Sequence, residues 1–273
     1  MPMISLDLVG IGAWSDCFAD WSEMRGGFES GNWASEASLI PEAIPARERR
    51  RAPRSVKMAV EVLSQACAMA EMSPSSPAVV FSSAMGDIDI TDAMCSILAD
   101  KPELVSPTRF HNSVHNAPIG YWSIAMQSHT AATAVAGHDN SAALGLLEAA
   151  VQCAEENVPV VSLCQEGAAP PTLQTVRPSL HPLALALLLA PEGYVEHAVA
   201  RISLDVTPEA AHNPALRSSM PVDFSGNPAA ALLPVFEALA GQGAAAETRR
   251  GSFRIPLNEH CSLVLEIELE PLN

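Results

Sequence analysis

Basic residues are scarce in this sequence. Only 15 of its 273 residues are Lys or Arg, against 31 Asp or Glu, and the formal net charge at pH 7 is −16. Nucleic acid is therefore a poor partner, because phosphate binding requires a basic field. Disorder of the whole chain is also excluded, since 48% of the residues are hydrophobic and only 17% are charged.

Long apolar runs are missing as well. No stretch of about 18 apolar residues is uninterrupted, and no basic segment precedes an apolar one at the N-terminus. We therefore expect no membrane span, no signal peptide and a cytoplasmic location.

The sequence also lacks common metal and nucleophile motifs. The six cysteines form no CxxC pair, and neither GxSxG nor GxxxxGK[ST] occurs. His111, His115 and His129 have no carboxylate at HExxH spacing. We predict buried reduced thiols, no metal site and no cofactor, and we disfavour a Ser-His-Asp hydrolase.

Strand-like and helix-like patterns alternate along the chain. An N-terminal strand ends in a predicted turn at Gly10 and Gly12, a helix follows Pro53, and buried strands are predicted at "PAVVFSS" and "VPVVSLCQEG". Because the two kinds of element alternate, we predict an α/β fold with a largely parallel sheet covered on both faces.

The C-terminal part has a different pattern. "HPLALALLLAP" and "VARISLDVT" predict two strands joined by a turn at Glu192 and Gly193, followed by a flexible linker, a helix and two closing strands. We therefore divide the chain into an α/β domain, residues 1–206, and an extension, residues 207–273, packed on the same domain.

One segment has the pattern by which many α/β enzymes present a nucleophile. "TAVAGHDNSAALGLLEAA" (133–150) predicts a strand, a tight turn and an apolar helix, but the turn contains His138, Asp139, Asn140 and Ser141 and no cysteine. Asp, Asn and Ser are good N-cap residues, so a purely structural role as a helix cap is the favoured interpretation of the turn.

Six of the fifteen basic residues are clustered between positions 47 and 57. One interpretation is a solvated helix start with its cationic groups in water; the other is a docking patch for an acidic partner or a phosphate group. The members are Arg47, Arg49, Arg50, Arg51, Arg54 and Lys57.

Three stretches together resemble a known family. "IPARERRRAPRSVKMAVEVLSQA", "SPTRFHNSVHNAPIGYWSIAMQ" and "NSAALGLLEAAVQCAEENVPVVSLCQEG" resemble the N-terminal half of β-ketoacyl synthases. More narrowly, they resemble the short chain-length-factor proteins of aryl polyene and related polyketide pathways. "FHNSVHNAPIGYWSI" is the most specific part, and the resemblance extends from Ile4 to Val206.

The resemblance implies a thiolase-like layered fold, mainly the first half of a ketosynthase with a short remnant of the second. It also places Asp139, flanked by His138 and Asn140, where the family has its nucleophilic cysteine. A carboxylate is a much weaker acyl acceptor than a thiolate, and neither Cys153 nor Cys164 is expected at a helix N-terminus. The resemblance therefore implies no catalytic residue in this chain.

A chain of this family without a catalytic residue is expected to act together with a catalytic partner subunit. The expected role is a chain-length factor that forms a heterodimer with an active ketosynthase, stabilises it and limits the length of the acyl or polyene chain. The contact and tunnel are assigned to the segment 111–127 with the adjoining Phe110, and an acyl carrier protein is expected at the arginine cluster. The candidate contact residues are Phe110, His115, Asn116, Ile119, Tyr121, Trp122, Ile124 and Met126.

Two other functions stay open at this point. One is a freestanding acyl-transfer or condensing enzyme that uses a nucleophile other than cysteine, and the other is an assembly scaffold without a tunnel.

Overall fold

The computed structural model describes residues 3–34, 36–195, 198–241 and 250–269, which form one layered α/β unit. Its strands are β1 (Ile4–Ser15), β2 (Ala78–Ser82), β3 (Ala132–Val135), β4 (Val160–Glu166), β5 (Leu183–Pro191), β6 (Ala200–Thr207), β7 (Arg250–Pro256) and β8 (Ser262–Leu269). Its helices are α1 (Trp21–Ser30), α2 (Ala46–Arg49), α3 (Arg54–Met69), α4 (Ile88–Asp100), α5 (Pro107–Asn112), α6 (Ala117–Met126), α7 (Ser141–Glu156) and α8 (Leu233–Leu239). In this described part, no helix combines the length and the apolar character that crossing a membrane requires.

All eight strands belong to a single sheet in the order β3-β2-β4-β5-β1-β6-β8-β7. Only β2–β3 and β2–β4 pair in parallel, whereas the other five neighbouring pairs are antiparallel. The prediction of a largely parallel sheet is therefore wrong. Parallel neighbours need a long crossover, usually helical. Here such crossovers run from β2 to β3 through α4, α5 and α6, and from β3 to β4 through α7, so the parallel pairs are confined to these three strands.

Strand β1 separates the two strands that we expected to pair with each other. It lies between β5 and β6 and pairs with both, so the predicted β5–β6 hairpin is wrong. The turn at Gly193 does form, with φ at 76°. Its N–H donates to the Asp7 carboxylate of β1 at 2.8 Å, which directs the chain across β1 to the far side.

Helix α3 packs closely on the middle of the sheet because the strands beneath it carry small residues. A Cβ at Gly10 or Gly12 would collide with the backbone carbonyl of Ala66 or Val62 in α3. The predicted turn at these glycines is therefore wrong: β1 continues through them to Ser15. Their role is close helix–strand approach rather than chain reversal.

The opposite face of the sheet is covered by α7, α1 and α8. Leu146 and Ala149 of α7 share a core with Leu185 and Leu187 of β5 and with Phe236 of α8. Pro234 lies in the first turn of α8, where the missing N–H costs no hydrogen bond, so the helix predicted across this proline forms.

Strands β7 and β8 extend the sheet beyond β6, so the C-terminal segment joins the same body as the rest of the chain. The division of the chain at residue 206 stays a prediction; residue 206 lies within β6. Residues 242–249 and 270–273 of the proposed extension lie outside the described residues.

Candidate functional site

The turn between β3 and α7 is a sharp one. A short 3-10 turn, His138–Asn140, leads directly into α7, and His138 has a left-handed backbone with φ at 55°. The Ser141 hydroxyl closes the turn: it accepts from the Gly137 N–H at 2.9 Å and donates to the His138 carbonyl at 2.7 Å. The predicted strand–turn–helix thus forms, with a strained residue at its tip as in a nucleophile elbow.

The capping role proposed for this turn is wrong. Asn140 precedes α7, but its side chain makes no capping hydrogen bond. The Asp139 carboxylate instead accepts a hydrogen bond from Arg177 Nη1 at 2.6 Å, and the same guanidinium contacts the His138 imidazole. Asp139 is 65% exposed and Arg177 only 26%, so the arginine packs down beside the turn.

Asp139 is therefore an ion-paired carboxylate at the position assigned to the lost nucleophile. His138, with the strained backbone, comes one residue earlier, and Asn140 one residue later. None of the three carries a thiol, so the turn offers no group that forms a stable acyl thioester. The assignment of the nucleophile position to Asp139 stays a prediction.

The buried cysteines are poor substitutes for the missing thiol. Burial raises the pKa of Cys153 in the middle of α7 to about 12, and that of Cys67 in α3 to about 12. Burial also raises the pKa of Cys17 to about 11, and that of Cys164 in β4 far above the usual range. A nucleophilic thiol needs the opposite shift, since the thiolate is the reactive form.

A buried carboxylate lies close to the turn, at the end of β4. The Glu166 side chain is fully buried and accepts hydrogen bonds from the Ala84 N–H and, at 3.2 Å, from Ser83 Oγ. Burial raises the pKa of Glu166 to about 7, although these two hydrogen bonds, the Met85 N–H and the charge of Arg177 act in the other direction.

The hydrogen bonds of Glu166 continue towards α6. Ser83 Oγ accepts from the Gly86 N–H at 2.8 Å, and the Ser83 carbonyl oxygen lies 3.0 Å from His115 Nε2. We call Glu166, Ser83, Ala84, Gly86 and His115 the Glu166 network. It joins the buried end of β4 to the residue two positions before α6.

The segment assigned to partner contact divides into core and surface residues. Ile119 and Trp122 are each only 1% exposed and pack under α3 in this chain's own core, so they do not form a contact surface. Met126 is half-buried against the same core. Tyr121 is half-buried and donates to the Asn112 amide oxygen at 3.1 Å.

The exposed members of the segment form an apolar surface over α5 and α6. Phe110 is 63% exposed, Val114 51% and Ile124 79%. Beside them, a groove of about 560 Å³ runs between α2 and α6. Its lining includes Ile44, Arg51, Val114, Asn116, Gly120, Tyr121 and Ile124. We call the exposed apolar side chains and this groove together the α5–α6 surface.

The arginine cluster is partly used within the chain. Arg54 donates to the Asp16 carboxylate at 2.6 Å and lies over the Trp14 ring at 5.4 Å. Arg49 donates to the Pro41 carbonyl at 3.2 Å. Arg47, Arg50 and Arg51 are exposed, and Arg51 also lines the groove of the α5–α6 surface.

Strand β3 is the edge strand at one end of the sheet. It pairs with β2 on one side only, and its other edge presents unpaired backbone N–H and C=O groups. Ala132 and Ala134 are exposed along it. Small side chains on an open edge allow another backbone to approach closely.

Sequence reasoning missed the two charged residues that organise the site. Arg177 lies in the connection 167–182, which has no periodicity that predicts its position. Glu166 carried a usable signal, because an acidic residue that ends a buried, mainly apolar strand needs partners inside the protein. Among the described residues, no group of three or more His, Cys, Asp or Glu side chains is placed to hold a metal.

Comparisons with known proteins agree with this geometry. Residues 19–239 match the family described as β-ketoacyl synthase, N-terminal domain. A search of the curated proteins finds no match to the chain.

Several solved structures have a similar fold. One is the ketosynthase ApeO in complex with its chain length factor ApeC from Xenorhabdus doucetiae, at TM-score 0.67 and 19% identity, covering 96% of this chain and 99% of that one. The ishigamide ketosynthase/chain length factor has a TM-score of 0.75 at 14% identity, with 98% and 100% covered. AntDE:AntF, a type II PKS acyl-carrier protein in complex with its ketosynthase, has a TM-score of 0.76 at 9% identity, with 98% and 99% covered. The predicted layered fold is thereby confirmed.

Proposed function

The chain belongs to the β-ketoacyl synthase family, and from this premise we propose that it is a non-catalytic subunit of the chain-length-factor type. In this role it pairs with an active ketosynthase, stabilises it and limits the length of the acyl or polyene chain. It has the N-terminal domain of the family but uses no nucleophile of its own.

The observation that carries the proposal is the turn before α7. The strand–turn–helix that would present a nucleophile is intact, but Asp139 occupies the assigned position and its carboxylate is neutralised by Arg177. An ion-paired carboxylate is a weak nucleophile, which also counts against a freestanding enzyme that uses Asp139. In this proposal the turn has a structural role only and does not take part in acyl transfer.

Two neighbouring features support a protein partner. The open edge of β3 offers backbone hydrogen bonds, and the α5–α6 surface offers exposed apolar side chains, Phe110 and Ile124 among them. Exposed apolar patches with a polar rim are typical of protein interfaces. The solved complexes of similar fold contain a ketosynthase with its chain length factor.

The groove of the α5–α6 surface supports a role in chain length. It is mainly apolar, and Gly120 leaves an open space in its wall, since a Cβ there would meet no atom within 4 Å. A ketosynthase seated on this surface would cover the groove, and the side chains at its wall would then set how much acyl chain fits. Each buried methylene is worth about 0.8 kcal/mol, so a steric stop discriminates better than graded burial.

The three exposed arginines support a place for a carrier protein. Arg51 lines the groove, and Arg47 and Arg50 are exposed within five residues of it, so an acidic carrier protein would find charge of the opposite sign there. Arg54, which we also assigned to this role, is half-exposed but already pairs with Asp16 and lies over the Trp14 ring, so we expect it to contribute less.

Co-expression tests the proposal. The chain is produced with the ketosynthase encoded nearest to it, and the mixture is analysed by size-exclusion chromatography and by product mass spectrometry. A stable heterodimer whose products are limited in length supports the proposal. A chain that stays separate and leaves the products unchanged contradicts it, and covalent labelling of the isolated chain by an acyl thioester would support the freestanding enzyme instead.

A further inference from the structure

The Glu166 carboxylate is surrounded by donors. The Ala84 N–H, the Ser83 hydroxyl and the Met85 N–H all point at it from the turn that follows β2. A carboxylate that receives such hydrogen bonds is stabilised in its ionised form, whereas complete burial favours the neutral form. The two effects oppose each other at a single side chain, so the group titrates near neutral pH.

Few other charges act on this carboxylate. Arg177 from the connection 167–182 favours the ionised form, and Cys164 on the same strand is neutral. His115 contacts the carbonyl of Ser83, and Asp87 ends the turn as the N-cap of α4. Helix α7 brings no charged side chain before Glu148.

Protonation of Glu166 changes the hydrogen bonds of Ser83. The ionised carboxylate accepts from the Ser83 hydroxyl, which in turn accepts from the Gly86 N–H at 2.8 Å. A protonated carboxyl must itself donate, and the Ser83 oxygen is its neighbouring acceptor, so the serine proton has to turn away. The turn that holds His115 therefore has two different hydrogen-bond arrangements.

This turn supports the start of α6. His115 is bound to the Ser83 carbonyl and packs against Phe81 with ring centroids 5.3 Å apart. Gly86, with a left-handed φ of 61°, lies directly against the imidazole, since a Cβ there would be in van der Waals contact with His115 Cδ2 at 3.4 Å. A change at Ser83 is thus transmitted through two direct contacts to the junction of α5 and α6.

We propose that Glu166 is a positioning residue that makes the α5–α6 surface responsive to pH: ionised Glu166 fixes the turn 83–86 and His115, and protonation releases them. The functional consequence rests on the proposed function, in which this surface binds the ketosynthase. The fixed arrangement is the binding form, so partner affinity rises as the pH increases from 6 to 8.

The first experiment uses the chain alone. The amide resonance of Gly86 is followed by NMR from pH 5.5 to 8.5 in His115→Gln, which removes the neighbouring imidazole, and in the double variant His115→Gln/Glu166→Gln. We expect one titration in His115→Gln and none in the double variant. Glu237→Gln in the His115→Gln background is the matched control, because Glu237 is also buried and accepts from backbone N–H groups, at Arg217 and Ser218. A titration that persists in the double variant, or is missing from His115→Gln, overturns the proposal.

The second experiment measures the affinity for the co-expressed ketosynthase at pH 6 and pH 8. We expect binding about fivefold tighter at pH 8 for the wild type and for Glu237→Gln, and equal affinities for Glu166→Gln. Equal affinities in the wild type would overturn the link to the surface. Absence of any binding would overturn the proposed function, while the titration of Gly86 would still decide whether the network responds to pH.

Discussion

Arg177 binds Asp139 at 2.6 Å directly in front of α7, so a guanidinium lies beside the position that we assign to the lost nucleophile. The pair keeps the connection 167–182 next to the turn. It is more than half exposed on the carboxylate side, so we expect a contribution to folding of below about 1 kcal/mol.

Asp139→Cys tests whether the turn has kept the geometry of a nucleophile elbow. A thiol there would lie at the start of α7 and beside Arg177, and both lower a thiol pKa. We expect alkylation by iodoacetamide at pH 7 about tenfold faster than that of the exposed Cys95 in the same protein, measured by peptide mass spectrometry. Adding Arg177→Gln should slow it. Equal rates at the two cysteines would show that the turn does not activate a thiol.

Ile124→Asp tests the α5–α6 surface as the partner contact. The side chain is 79% exposed, so a charge costs the isolated chain little, whereas burial against a partner would be strongly unfavourable. We expect the Kd for the ketosynthase to rise at least about 30-fold, with an unchanged Tm of the chain alone. Tyr194→Asp, at a 53% exposed residue in the turn after β5, is the control and should bind normally. Normal binding by Ile124→Asp would place the contact elsewhere.

Gly120→Leu tests the control of chain length. The added side chain meets no atom of this chain within 4 Å at its Cβ and enters the groove, so it should shorten the longest product by one or more extension units without loss of the heterodimer. Product mass spectrometry measures the change. Gly26→Leu in α1 is matched to it, since that helical glycine also has open space and lies outside the groove. If both variants give wild-type products, the chain acts as a scaffold only.

Glu166→Gln should also remove a pH dependence of stability. Its pKa in the folded protein, about 7, lies above the usual 4.5, so the folded state keeps the proton to higher pH than the unfolded chain does. The stabilising contribution is complete below about pH 4.5 and is lost as the pH rises through 7. Relative to Glu166→Gln, the wild type should lose on the order of 2–3 kcal/mol of unfolding free energy between pH 5 and 8, measured by urea denaturation. A constant difference would contradict the raised pKa.

Local patterns predicted the elements well and their arrangement poorly. The helix of α7 and the strand of β4 follow from apolar periodicity and length, which act within a single segment. The place of β1 between β5 and β6 depends on the Asp7–Gly193 contact between residues 186 positions apart, which no local pattern encodes. Gly10 and Gly12 were misread for the same reason, since the backbone that requires them belongs to α3.

For the candidate site, too, the sequence predicted the local element but not the contacts between distant segments. The turn at His138–Asn140 was located, because its residue types and the following helix are adjacent in sequence. Its ion pair was missed, since Arg177 is 38 residues from Asp139. Trp122 was assigned to a contact surface on hydrophobicity alone, although an aromatic side chain fills a core as readily as it forms an interface; only its position under α3 decides.

The two edge strands of the sheet, β7 and β3, differ in whether charged side chains protect them from pairing with another strand. Strand β7 carries Arg250 and Arg254, paired with Glu268 and Glu209, and such charges discourage another strand from joining. The β3 edge has only alanine, threonine and valine, so it offers a template for self-association when nothing covers it. In the heterodimer that we propose, the ketosynthase would cover this edge, so production of the two subunits in equal amounts would keep it from being exposed.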